Sequence, residues 1–152
     1  MARAPGRRGH RAQGWRGGAP WVDGASVTAQ LNARSLARVS FEPVESSPVD
    51  LDIAQDPPFE EERVRGVRLI VTDPEPFGGT AVGIHILEVF ASEARAQGRP
   101  DVIARPETLD LLAGTATVRR QLDAQLPAAD IVAGWQADLV VMPVCSSVFG
   151  TG

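Results

Sequence analysis

VRLIVTDPEPFGGTAVGIHILEVF, residues 67–90, carries a strand, a turn and a helix in one run. Val67, Leu69, Ile70 and Val71 form a short block of branched aliphatic residues, the pattern of a buried strand. Thr72, Asp73, Pro74, Pro76, Gly78 and Gly79 follow, and their turn chemistry stops the strand there. Thr80 offers a hydroxyl N-cap, so a helix is predicted from about that residue. On this helix His85, Glu88, Ser92 and Arg95 share one polar stripe, with His85 and Glu88 read as an exposed pair. Ile86, Leu87, Val89, Phe90 and Ala94 spread over a wide apolar face. Strand, tight loop and helix make half of a βαβ-type unit, and such loops often hold ligands in open α/β sheets. A phosphate loop is excluded here. It needs a lysine, and this chain has none; the G-x-G-x-x-G spacing is also missing. Gly78 and Gly79 are assigned to the turn and to close helix–strand approach.

The 152 residues suffice for one domain with a core. A net charge of -4 implies no general affinity for nucleic acid or anionic lipid. All 15 basic residues are arginine. Cys145 is the single cysteine, so neither a disulfide framework nor a cysteine-rich zinc site is available within one chain. No apolar run reaches the roughly 18 residues of a membrane span. The basic N-terminus lacks a following apolar stretch, so no signal peptide is expected as written.

Upstream, residues 1–17 are Arg/Gly-rich and are expected to be disordered. Asp23 or Ser26 caps a short helix carrying Val27, Leu31 and Leu36. Val39, Phe41 and Val44 alternate with polar residues as in a half-buried strand, and Pro43 places it at an edge or near its end. Glu42 to Arg63 holds the prolines Pro43, Pro48, Pro57 and Pro58 among many acids, and reads as a long solvated loop rather than a metal or catalytic cluster.

Downstream, Gly98 suits the left-handed position after a helix and Pro100 blocks its continuation. Val102 and Ile103 allow a very short strand. Pro106 opens a short helix that Gly114 closes. Thr115 is the expected cap of the next helix, whose buried stripe is Val118, Leu122 and Leu126 while Arg119, Arg120 and Asp123 face water. Pro127 opens a last helix bearing Ile131, Val132, Trp135 and Leu139, with Trp135 expected in the core. Residues 140–152 read as an irregular tail. The fold class expected is α/β (α+β): a small mixed sheet packed by about four helices.

Four stretches together resemble the C-terminal domain of NamZ-type exo-β-N-acetylmuramidases, peptidoglycan-recycling glycoside hydrolases. Gly18-Ala19-Pro20-Trp21-Val22-Asp23 with Leu31-Asn32 is similar to that domain's "GAPW-acidic…LN" entry. Residues 39–48, VSFEPVESSP, resemble its strand and following loop. Arg65 to Phe77, around Val71-Thr72-Asp73, resembles its "GV-x-L-x-VTD…F" strand. Residues 109–119, LDLLAGTATVR, with Ile131 and Trp135 to Leu139, are similar to its "FD-x-LAGT-x-x-LR…W-x-x-x-L" ending. The likeness spans residues 18–139.

The resemblance implies a smaller domain that accompanies an N-terminal Rossmann-like catalytic domain. It implies peptidoglycan fragments as the parent enzyme's substrate. A glycosidase needs an acid and a second group flanking the scissile bond, and the resemblance puts both in that other domain. No residue of this chain is therefore assigned a catalytic role, and no metal or cofactor is expected. Both edges of the match read as interrupted, by truncation or an altered reading frame. Such enzymes are commonly exported, whereas this N-terminus carries no export signal, so location stays open. Trp21, Asp73 and Phe77 are the candidates to face a sugar, each weighed against plain packing or turn roles. Two other classes compete. One is a stand-alone interaction module. The other is a cysteine hydrolase, because Glu75-Pro76-Phe77-Gly78-Gly79 resembles the opening of pyroglutamyl peptidases, although no histidine follows Cys145.

Overall fold

The structure, a computed structural model, describes residues 16–49, 59–73, 78–99 and 106–141. The chain divides into two compact units, residues 1–77 and 78–152. The expected α+β class is met, with a three-stranded sheet and five helices among the described residues.

The first unit contains β1 (Arg16–Ala19), α1 (Gly24–Ala33), β2 (Val39–Ser46) and β3 (Val64–Val71). The sheet order is β1-β3-β2, and both pairings are antiparallel. The strand expected at residues 67–71 is thus the central one. Both its neighbours in the sheet run antiparallel to it, so among the described residues it begins no βαβ crossover.

β1 pairs Arg16 with Arg68 and Ala19 with Arg65, so the ordered sheet starts inside the segment read as disordered. Its glycines explain both the strand and its poor legibility. A Cβ on Gly18 would lie 2.3 Å from the Arg65 carbonyl oxygen, and one on Gly66 would lie 2.0 Å from that of Gly17. Backbone meets backbone there, an approach only glycine permits. Next comes a β-turn in which the Val22 amide donates to the Ala19 carbonyl at 3.2 Å, with Pro20 at its favoured second position. Asp23 then caps α1, its Oδ1 accepting from the amides of Ala25 (3.0 Å) and Ser26 (3.2 Å). The first helical residue, Gly24, sits on β3, and a Cβ there would be 2.7 Å from the Gly66 carbonyl oxygen. Gly18, Gly24 and Gly66 therefore converge on one point.

α1 buries Gly24, Val27, Thr28 and Leu31, the three-and-four spacing of a single face. This face packs on β2 and β3. The core there is Val22, Val27, Leu31, Phe41, Val67 and Leu69. β2 is an edge strand, as Pro43 foretold, and Asn32 at the end of α1 guards it. The Asn32 carboxamide donates to the Phe41 carbonyl at 2.9 Å and accepts from the Phe41 amide at 3.0 Å. Thr72 donates to the Arg38 carbonyl at 2.8 Å, so even-numbered residues of β2 turn their backbone groups toward β3 and odd-numbered ones turn outward. Phe41 and Pro43 are both outward: Asn32 satisfies the first, and the second has no amide hydrogen to satisfy.

The second unit contains α2 (Gly79–Ala96), α3 (Pro106–Ala113), α4 (Thr117–Asp123) and α5 (Ala128–Val141). α2 begins one residue before Thr80. Gly78 is its N-cap, and no side chain bonds there. Nor does Gly78 serve a close approach, since a Cβ on it would meet nothing within 4 Å. At the other end Gly98 has φ 70°; its amide donates to Arg95 (2.9 Å) and that of Arg99 to Ala94 (2.8 Å), a Schellman closure. α4 closes the same way through Gln125 at φ 59°. Ile84, Val118, Leu122, Ala128 and Ile131 form a core cluster in this unit, with Leu87, Val132 and Trp135 packed against it. Leu126, expected in the buried stripe, is exposed.

The polar stripe expected to face solvent on α2 is partly an interface. Glu88 Oε2 accepts from the amide of Ala128, the first residue of α5, at 3.0 Å. Arg95 Nη2 donates to the carbonyl of Leu122, in the last turn of α4, at 2.6 Å. An acid thus meets a helix N-terminus and a guanidinium meets a helix C-terminus, each satisfying a group the helix leaves unpaired. Solvent periodicity hides such residues because they are charged yet turned inward.

The possible strand at Val102–Ile103, the first fifteen residues and the tail beyond residue 141 lie outside the described residues.

Candidate functional site

Trp21 occupies the turn between β1 and α1 and is half-buried. Asp73 follows β3 and is ion-paired with Arg38, its side chain 54% exposed. That pairing is a long-range partner that the local turn role expected for it did not include. Ala19 pairs with Arg65 near the start of β3, whereas Asp73 lies just beyond its end at Val71. Strand rise places these two ends roughly 20 Å apart. Trp21 and Asp73 are therefore not brought to one point. Phe77 and Cys145 lie outside the described residues.

A shallow groove of about 360 Å³ opens beside the Trp21 end, lined by Asp23, Gly24, Ala25, Pro43, Val44, Glu45 and Arg65. Asp23 is committed to capping α1, and Glu45 lies 3.8 Å from Arg63. The groove offers a mixed polar rim without a buried charge. On the sheet Arg68 pairs with Glu42, its direct cross-strand neighbour. This pair and Arg38–Asp73 are solvent-exposed and are each worth about 0–1 kcal/mol. No group of His, Cys, Asp and Glu suited to a metal ion occurs among the described residues. No helix among them is long and apolar enough to cross a membrane.

In the second unit a larger groove, about 730 Å³, is lined by Thr80, Gly83, Ile84, Leu109, Leu112, Ala113, Thr115, Val118 and Trp135. Trp135 is half-buried at its wall rather than deep in the core. α3 buries none of its residues, and Leu111 and Leu112 are each 81% exposed.

An ion pair ties α3 to α4. Arg119 on α4 donates through Nε to Asp110 Oδ1 (3.0 Å) and through Nη2 to Oδ2 (2.8 Å), a two-pronged pair with both side chains about three-quarters covered. Arg119, expected to face water, is thus an anchor. Its hydrogen bond holds the Asp110 carboxyl below the usual carboxylate range; partial burial opposes this, and the charges of Arg119 and Arg120 add to it. The same bond holds the Arg119 guanidinium above its ordinary value. A carboxyl depressed in the folded state binds its proton more readily when unfolded. Its contribution is therefore present above the unfolded pKa, about 4, and is lost as pH falls through the lower folded value. Urea midpoints of wild type and Asp110→Asn should differ most near pH 7, and the gap should close as pH drops below about 4. A gap independent of pH would show that the pair does not titrate this way.

The geometry explains the motif around this pair. Gly114, at φ 69°, ends α3, and Thr115 Oγ1 accepts from the Thr117 amide at 3.1 Å. Thr115 thus works one residue away from the helix's own N-cap, Ala116. Asp110 and Arg119 bracket the turn. Likewise the segment from Gly18 to Gly24 is a turn, a cap and a glycine contact, and Asn32 ties the sheet edge.

A sequence model described as "Exo-beta-N-acetylmuramidase NamZ, C-terminal" matches residues 8–141. The chain belongs to the NamZ C-terminal family. No curated protein sequence matches it. Its fold is similar to the crystal structure of a DUF1343 family protein from Bacteroides fragilis NCTC 9343, with a TM-score of 0.65 and 19% sequence identity over 82% of this chain. At that identity the likeness speaks for the fold alone. The NamZ-like chain spans 32% of that protein's length.

Sequence inspection missed three features of this site region. Gly66 in mid-strand was itself a signal of close backbone approach. The pairings of Glu88 with α5 and of Asp110 with Arg119 had no sequence signal, because each depends on how helices cross.

Proposed function

We propose that the chain is the auxiliary C-terminal domain of a peptidoglycan-recycling exo-β-N-acetylmuramidase. It shapes one side of a cleft whose cutting groups belong to the N-terminal catalytic domain of the parent enzyme, and it does not hydrolyse muramosides by itself. The observation that carries this is the family match over residues 8–141. It is supported by how five of the described carboxylates are used: Glu88 caps α5, Asp110 anchors α3, Asp23 caps α1, and Glu42 and Asp73 pair with arginines.

Trp21, Asp73 and Phe77 are the residues proposed to face the peptidoglycan fragment, with Trp21 and Asp73, at opposite ends of β3, meeting different parts of it. A chimera tests this: the chain replaces the corresponding domain of a full-length family enzyme. Trp21→Ala, Asp73→Asn or Phe77→Ala should raise KM about 3–10-fold with kcat nearly unchanged, the ~1 kcal/mol of one stacking or hydrogen-bonding contact. Arg38→Ala removes the ion pair but keeps the carboxylate, and should leave KM alone. Unchanged KM in all three variants would remove the substrate-facing role while leaving the auxiliary role standing.

An alternative, a stand-alone interaction module, draws on the exposed Leu111 and Leu112 beside an apolar groove. An active chimera favours the auxiliary domain; a folded but inactive chimera favours the module.

A further inference from the structure

We draw no further inference here: the strongest candidate, the apolar groove of the second unit walled by α2, α3 and Trp135 of α5 with Leu111 and Leu112 exposed beside it, carries none because nothing in the structure shows what covers it.

Discussion

Gly66→Ala should unfold the first unit. The added Cβ would fall 2.0 Å from the Gly17 carbonyl oxygen and 2.5 Å from the Gly18 Cα. Both obstacles are backbone, so no rotamer change relieves the clash; β1 must leave β3. Gly24 also rests on Gly66, and the loss of β1 would disturb the seating of α1. Overpacking a core typically costs about 1–3 kcal/mol, and a clash that displaces a strand belongs above that range. A unit of this size holds roughly 3–9 kcal/mol in all, so most of its stability is at stake. Gly83→Ala is the contrast, because a Cβ there meets nothing within 4 Å and lies inside α2. It should stabilise the second unit by about 0.5–1 kcal/mol. Urea unfolding followed by fluorescence in single-tryptophan backgrounds, one keeping Trp21 for the first unit and one keeping Trp135 for the second, would measure both. A Gly66→Ala protein as stable as wild type would show that β1 does not sit against β3 as described.

Asn32→Ala should cost about 2–3 kcal/mol, the second largest single effect. The carboxamide makes two hydrogen bonds to one residue of an edge strand, and its loss leaves both Phe41 backbone groups without their partner. Asn32→Asp separates the two bonds: a carboxylate still accepts from the Phe41 amide but cannot donate to its carbonyl, and it sets negative charge against that oxygen. Aspartate should therefore be no better than alanine at neutral pH. A further consequence is an uncovered edge at Phe41, an invitation to strand pairing between molecules. Light scattering during storage of Asn32→Ala should rise faster than for wild type. Stability and scattering both unchanged would mean that water replaces the carboxamide at no cost.

The elements that came through in the sequence are those whose signal is local. β3 announced itself by branched aliphatics, β2 by alternation, α1 by its capping aspartate, and the ends of α2 and α3 by Gly98 and Gly114. β1 was not legible because its packing is an absence of side chain, and Arg/Gly-rich composition looks the same in disorder. The loop after β3 suggested a parallel crossover because strand–loop–helix runs occur both in such crossovers and where they do not follow. Nothing in residues 67–90 states the direction of the neighbouring strands. On α2 the stripe rule placed Glu88 and Arg95 in solvent, whereas the ends of α5 and α4 need an acceptor and a donor. Of the candidate site, the separation of Trp21 from Asp73 by the length of β3 depends on antiparallel register, which no local pattern encodes.

These same residues bear on function. The motif-bearing stretches of the first unit and of the α3–α4 region serve turns, caps and anchors. The most direct test is to incubate the purified chain with a chromogenic N-acetylmuramic acid glycoside beside a full-length family enzyme as the positive control. An auxiliary domain gives no release above the blank while the control turns over. Sustained release that scales with the amount of chain, and persists through further purification, would show that it carries its own cutting groups.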